Sequence, residues 1–451
     1  MKNFFSNLVG SSFTLPVVGT LLISSLNAQA GVLLDIYSEV IESAPIKQSG
    51  DLLSQAAKQN VTTKKRNYLP RLSFDARELW VDQDITVNDS LGSRGARSDY
   101  ENTRLNLELD QPLYDPTIKS KIEVARAKGR QVESQAQLIV EAKTRRLIEQ
   151  FLETAKLQRL ILSTNRVVGR LEKELQEVSK RKEANVATVS EVQNIRLALA
   201  SVKRDRSNFS LNRNYALVSM GPSGQALRKK QLQWRESNGP SSWGKSADEE
   251  NVAPEVKNLR AEVEEFHHQS REVKRRSWPV LKLVARYGID NGGNPEFGGL
   301  RTGDRDLNYF EGGLALQWNI FERGMNNSEA KELELKKEAK KAELQQMMED
   351  RDQLATYSKD LLKYSRTSMN EFESLMKEYK VLKDASARAY EAGKGSYMDS
   401  ITAYMAYEAA LRDWTNAQHE LLRRRITFYA QSTGWDKSLV QKVDGMFKVA
   451  K

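Results

Sequence analysis

The sequence predicts a mainly α-helical protein with a small β part, in which long antiparallel coiled-coil helices are joined to four amphipathic strands. Three observations carry this. Apolar residues recur at alternating spacings of three and four through two long stretches. Two segments of period two precede each stretch. The whole strand–strand–hairpin plan occurs twice. At 451 residues the chain is too long for one compact core. With 39% hydrophobic and 29% charged residues it is neither collagen-like, mucin-like nor fully disordered. Lys and Arg number 70 against 60 Asp and Glu, both signs interspersed, which allows contact with an anionic surface without requiring nucleic acid. There is no RNP-type aromatic box, zinc-finger spacing or basic region before a zipper, so no nucleic-acid partner is expected. Cysteine is absent, which removes disulfides, thiolate metal sites, a cysteine nucleophile and an acylated anchor.

Residues 1–30 read as a signal peptide. Lys2 supplies a thin positive region, Leu15 to Leu26 a short apolar core, and Ala28-Gln29-Ala30 a small-x-small cleavage site. Pro16, Gly19, Ser24 and Ser25 break the run, and a spanning helix needs about 20 apolar residues. No later stretch reaches that length, so any insertion into a membrane must use strands. Residues 31–67 form an N-terminal helical segment.

The first strand pair, within 68–115, is read from the alternation of Leu72, Phe74, Ala76 and Trp80, then of Leu105, Leu107, Leu109 and Leu113. The second, within 278–322, shows Leu281, Leu283, Ala285 and Tyr287, then Phe310, Leu314, Leu316 and Trp318. An ordinary sheet on a core would alternate too. Aromatic ends (Tyr68, Trp80, Tyr100, Tyr114, Trp278, Tyr287, Tyr309, Phe321) and segments near 9–11 residues suit a transmembrane barrel instead. Leu105, Leu107, Leu109, Leu314 and Leu316 are then the membrane-facing positions. The polar stretches Asp82–Asp99 and Asp290–Leu307 read as long external loops.

The helical hairpins span 116–220 and 323–434. Ile161, Thr164, Val168, Leu171, Leu175 and Val178 set the first seam, which resumes at Val192, Ile195, Leu199 and Val202. A helix from Thr117 to about Arg181 would be roughly 100 Å long. Thr188 to Glu191 and Ser396 to Asp399 both fit a capping box, and Gly393, ahead of Gly395, is a natural helix stop. The first returning helix, Val189 to about Met220, is half the length of its partner. The missing half of the wall is assigned to Pro254–Arg276 over the first returning helix and Val32–Asn67 over the second. Residues 221–277 comprise an irregular equatorial band followed by that upper helix, and the tail 435–451 joins the band.

The two halves match at Leu107-x-Leu109-x-Gln111-x-Leu113-Tyr114-Asp115 and Leu314-x-Leu316-x-Trp318-x-Ile320-Phe321-Glu322, an offset of 207; Glu191 matches Asp399 at 208. With the Leu-Pro-x-Leu opening at Leu69, the Gln-Pro-Leu-Tyr-Asp close at Gln111, the acid-Val-Gln-Asn turn at Glu191 and the Gly-x-x-Ser-x-x-Asp turn at Gly393, the chain resembles the TolC family of outer-membrane efflux and type I secretion channels from about Val32 to Gly434. The resemblance implies a homotrimer whose twelve strands close a barrel in outer-membrane lipid, with a periplasmic α-barrel below. It implies a passive exit duct of a tripartite export system in a Gram-negative bacterium. That duct would be opened by a periplasmic adaptor and powered by an inner-membrane ABC exporter or a proton-driven pump. A periplasmic coiled-coil adaptor or scaffold is the alternative, although such a protein would usually carry one hairpin flanked by β modules.

No catalytic role and no cofactor is expected. His267 and His268 point about 100° apart on a helix, and no nucleophile–base or metal-ligand spacing stands out. The resemblance places an entrance gate at the tips. Asp399 is the leading candidate for a lumenal acidic ring, and Glu191 is its counterpart in the first repeat. Where the family commonly has a second acid and a base, this chain has Thr402 and Gly395, with Lys394 beside the latter. Tyr390, next to the gate turn, either braces neighbouring hairpins or, more in keeping with its position, packs as an ordinary coiled-coil residue. Thr188, Gly393, Gly395 and Ser396 shape the turns.

Overall fold

A computed structural model describes residues 31–89, 92–234, 253–292, 296–297, 300–301 and 305–450. The expected signal peptide lies outside the described residues, as do 235–252 of the expected equatorial band. The described chain begins with α1 (Val32–Tyr37), a π turn (Ser38–Glu42) and α2 (Pro45–Lys65). Strands β1 (Arg71–Asp89) and β2 (Gly92–Tyr114) lead into α3 (Pro116–Glu183) and α4 (Val189–Ser219). After α5 (Gly221–Ala226) and β3 (Gln231–Trp234), α6 (Pro254–Arg275) opens the second half. There follow β4 (Val280–Gly292), the short β5 (Glu296–Phe297) and β6 (Leu300–Arg301), β7 (Arg305–Gln317), α7 (Met325–Glu391) and α8 (Tyr397–Thr433). Helix α9 (Lys437–Asp444) and β8 (Phe447–Ala450) end the described chain.

Strands β1, β2, β4 and β7 form one antiparallel sheet in that order, so β2 and β4 weld the two repeats together. The register puts the apolar positions opposite one another across all four strands. Phe74 pairs with Leu107, Leu107 with Tyr287, and Tyr287 with Phe310. Leu72 pairs with Leu109, and Leu283 with Leu314. Directly opposed residues share a face, and here that face meets nothing: Phe74, Leu314 and Leu316 are each 67% exposed.

The opposite face carries a charged ladder. Ser73, Glu108, Arg286 and Glu311 lie on one rung. Arg286 bridges Glu108 at 3.1 Å and Glu311 at 3.8 Å. One rung up, the Tyr309 hydroxyl donates to Asn106 at 2.8 Å, its ring lying over Gly288 where a Cβ would come within 2.2 Å. Above that, Arg104 meets Asp290 at 3.2 Å.

Two strand expectations are corrected. β1 and β2 run for 19 and 23 residues, about twice the expected length, and most of the stretch expected as a loop from Asp82 to Asp99 is strand. The β-branched Val81, Ile85, Thr86 and Val87 favour extended backbone whatever the polarity of their neighbours. In the second stretch, from Asp290, β4 continues to Gly292 and β7 starts at Arg305. β7 also stops at Gln317, so Trp318, Ile320 and Phe321 lie beyond the strand, and the matching close in the first repeat, Gln111 to Tyr114, remains within β2.

The assignment of the upper helices is also corrected. α6 occupies the slot between α3 and α7, the slot that α8 fills further down, while α2 packs on α3, as α4 does. α6 therefore continues the second returning helix, and α2 the first. Its chemistry explains the choice: Val256, Leu259, Ala261 and Val273 are buried on α6, whereas α2 buries no residue and meets α3 through small contacts, Gly50 on Ala136 and Ala57 on Gly129.

The equatorial band is more ordered than expected. β3 pairs with β8, and α9 sits with α1 in the main hydrophobic core with Phe151, Ile148, Leu217 and Ile426. Phe151 is fully buried and meets Phe447 edge-on, ring centroids 5.1 Å apart. Phe151→Ala should cost about 3–5 kcal/mol. Thermal or denaturant unfolding should show it as the loss of the equatorial core.

Candidate functional site

The far ends of the two hairpins hold most of the candidate residues. Helix α3 stops because Asn185 adopts φ +57°, and α7 because Gly393 adopts φ +67°, positions 208 residues apart. Left-handed backbone suits glycine and is tolerated by asparagine, so both repeats end their descending helix by the same device. The returning helices are capped differently. Thr188 and Glu191 close a capping box: the Thr188 hydroxyl accepts from the Glu191 amide at 3.2 Å, and the Glu191 carboxylate accepts from the Thr188 amide at 2.7 Å.

The expected second box does not close. Ser396 Oγ accepts from the Met398 amide at 3.2 Å, and no bond returns from Asp399. Aspartate is one methylene shorter than glutamate and does not span the turn. The Glu191 carboxylate is thus engaged in its cap, while the Asp399 carboxylate stands exposed in the first turn of α8. Thr402, Lys394, Gly395 and Ser396 are exposed around it.

Tyr390 lies on a seam between the two hairpins. Arg181 of α3 donates to the Tyr390 hydroxyl at 3.0 Å, and its guanidinium sits 5.1 Å from the Tyr397 ring centroid. The Tyr390 and Tyr397 rings meet at 5.3 Å, inclined by 60°. The Tyr397 hydroxyl donates to the Glu174 carboxylate, which also faces Arg170 at 3.4 Å. Arg170 in turn covers the Tyr404 ring at 4.3 Å. Burial raises the phenol pKa of both Tyr397 and Tyr404, and the bond to Glu174 adds to the shift at Tyr397, so both hydroxyls stay protonated donors. Beneath them Val168, Leu171, Val178, Val192, Ile195 and Ile401 form a second apolar core shared by both hairpins.

The structure brings Tyr390 into contact with the first hairpin but joins neither Asp399 nor Glu191 to it through a side-chain bond. Arg181, Arg170, Glu174 and Tyr397 were not singled out from the sequence. The Arg170–Glu174 spacing of four was the one local signal available. Elsewhere His267 and His268 sit ring to ring at 5.3 Å, and His419 has its pKa lowered to about 4 chiefly by burial. Among the described residues no cluster of three or more such side chains is placed to hold a metal ion.

Tyr397→Phe removes one hydroxyl from this seam and leaves Glu174 only Arg170. It should cost about 1 kcal/mol and speed proteolysis at the tips. Arg181→Ala, which loses the hydrogen bond and both ring contacts, should do more.

No family model matches the chain, and no curated protein matches it. Solved structures do. The Campylobacter jejuni CmeC outer membrane channel superposes with a TM-score of 0.73 at 14% identity, over 90% of this chain and 88% of that one. The Vibrio cholerae outer membrane protein VceC gives 0.69 at 14% identity, over 90% and 97%. The open state of the Neisseria gonorrhoeae MtrE outer membrane channel gives 0.66 at 13% identity, over 90% of each. The chain has the fold of these channels: long helices for an α-barrel and a small antiparallel sheet for a β-barrel.

Proposed function

We propose that this protein is the outer-membrane exit duct of a tripartite export system. It would act as a homotrimer, with a periplasmic adaptor and an inner-membrane ABC exporter or proton-driven pump as partners. The observation that carries the reading is the four-stranded sheet, apolar and bare on one face, charged on the other, and, among the described residues, unpaired at both β1 and β7. A sheet of four cannot close on itself, whereas three copies supply twelve strands, an even number within the range of bacterial barrels. Strand directions alternate from β1 to β7, so β7 of one copy meets β1 of the next antiparallel. The helices support the same count. α7 buries only Asn326, Ala330 and Ser365 within the chain and leaves Leu354, Tyr357, Tyr364 and Leu375 exposed. At the other edge of the helical layer, α4 exposes Leu197, Leu211 and Tyr215. Both edges are apolar enough to seal against another copy.

In this reading the charged ladder around Arg286 faces the lumen, and Asp399 from three copies surrounds the periplasmic entrance. The Arg181–Tyr390–Tyr397–Glu174 seam holds the two hairpins of one copy together until an adaptor spreads them. Glu191, committed to its cap, contributes less to the entrance than Asp399.

Leu107→Arg or Leu314→Arg puts a charge on the lipid face, costing about 2–4 kcal/mol near the midplane. Neither variant should appear as a heat-resistant oligomer in the outer-membrane fraction, whereas Asn106→Arg should assemble. Normal assembly and conductance of both leucine variants would remove the duct reading, as would a soluble periplasmic monomer of the parent chain.

Asp399→Asn tests the entrance. It should lower cation preference in a planar bilayer and weaken block by trivalent cations, with trimer stability kept, because Ser396 supplies the cap. Glu408→Gln is the control, since Glu408 accepts from Ser163 at 2.9 Å further up α8. Unchanged selectivity and block in Asp399→Asn would leave its carboxylate no role at the entrance.

A further inference from the structure

The two open edges of the sheet differ in length and charge, and together they fix how one copy meets the next. Among the described residues, β7 offers 13 edge residues, Arg305 to Gln317, and β1 offers 19, from Arg71 outward. Three conditions act on the seam between them. The first is facing. Directly opposed residues share a face, so Glu311, Gly313 and Ala315, which continue the charged ladder, must meet the odd positions Ser73, Asp75 and Arg77. Leu314 and Leu316 must meet even ones. The permitted registers therefore differ by steps of two.

The second condition is closure. Glu311 lies on the rung of Ser73, so a ring without stagger would set it opposite Ser73 of the next copy. Twelve strands close at a tilt of about 35–45° only if each copy is staggered. With strands about 4.8 Å apart and about 3.3 Å per residue, a stagger of two residues per copy gives about 19°, four about 35° and six about 46°. The ends give its sense. A stagger toward the start of β1 carries the last residues of β7 past Arg71 and leaves their backbone bare. A stagger of four in the other sense sets Gln317 opposite Arg71, so every residue of β7 finds one of β1 opposite it.

The third condition is charge. A stagger of two sets Glu311 opposite Asp75, a like-charge pair. Six sets it opposite Leu79 and leaves Arg71 and Leu72 beyond the end of β7. Four sets it opposite Arg77. Within one chain Glu311 stands 3.8 Å from Arg286, and Arg77 2.8 Å from Asp75, while 66% and 64% of their side chains remain exposed. The same register lays Leu314 on Phe74 and Leu316 on Leu72 along the apolar face. Its one like-charge pair, Asp306 with Asp82, falls at the outer end, beyond the apolar rungs. We propose that the seam between copies has this register, with Glu311 of one copy paired to Arg77 of the next and Leu314 laid on Phe74. This rests on the duct reading and names the residues that close the ring.

The chain has no cysteine, and positions 74 and 314 lie on opposite edges of the sheet, so a disulfide joining them forms between copies. Two full-length double variants are made, Phe74→Cys with Leu314→Cys and Ser73→Cys with Ala315→Cys. Successive opposed pairs alternate between hydrogen-bonded and non-hydrogen-bonded geometry, and the second brings side chains closer. Each variant is first recovered as a heat-resistant outer-membrane oligomer. Oxidation should then turn at least one of them into a covalent trimer that survives boiling and reverts with reductant. Leu314→Cys combined with Leu72→Cys or Ala76→Cys, one step away in register, should cross-link about tenfold less, because diagonal neighbours lie beyond the reach of a disulfide. Arg77→Gln and Glu311→Gln together should lower the dissociation temperature of the oligomer by less than the sum of the two single losses. An assembled oligomer that cross-links as well in a neighbouring register, or in neither predicted pair, or that shows strictly additive losses, overturns this register and leaves the duct standing. A parent chain that forms no outer-membrane oligomer removes the duct and the seam with it.

Discussion

Every backbone N–H and C=O in a bilayer needs a partner, and each one left bare there costs several kcal/mol. Among the described residues, this chain brings an apolar sheet face together with two unpaired edges, β1 and β7. The combination is unstable in water because of the face and unstable in lipid because of the edges. Both problems vanish on closure with further copies, as the proposed duct requires. The helical layer below obeys the same logic with different chemistry, because helices satisfy their own hydrogen bonds and need only bury side chains. Its outer members, α4 and α7, expose aliphatic and aromatic residues that the isolated chain has nowhere to put.

Duplication gives the two halves one plan, and small chemical differences give them separate duties. Asn185 and Gly393 stop the descending helices in the same left-handed conformation. Three residues on, Thr188 pairs with a glutamate long enough to return to it, whereas Ser396 pairs with an aspartate that is not. One methylene separates a carboxylate spent on a helix end from one left in solvent. The seam between hairpins is likewise one-sided: Arg181 comes from the first, and both tyrosines it touches come from the second.

The periodic features were legible in the sequence. Long 3-4 repeats, period-two segments and their offset of 207 carried the helices and the strands, whereas the register that pairs Leu107 with Phe74 came only with the sheet. What was missed depends on distance rather than pattern. Arg181 and Tyr390 are 209 residues apart, and nothing local announces their bond. The slot taken by α6 is decided by how many neighbours its apolar residues can reach, which a helix read alone does not reveal. The strand extension of β1 and β2 was hidden by its polarity, because acidic residues in a strand read as loop.

That last point bears on the whole sheet. Alternation in a strand records which solvent each side meets, not whether the strand exists. From Leu72 to Ala76 one side of β1 is apolar and, in the proposed duct, meets lipid. Pairing with β2 nevertheless runs on unbroken to Asp89, well past the rung of Gly292 and Arg305 where β4 ends and β7 begins. Backbone pairing and side-chain polarity are therefore set separately along one hairpin, and only the first decides where the strands end.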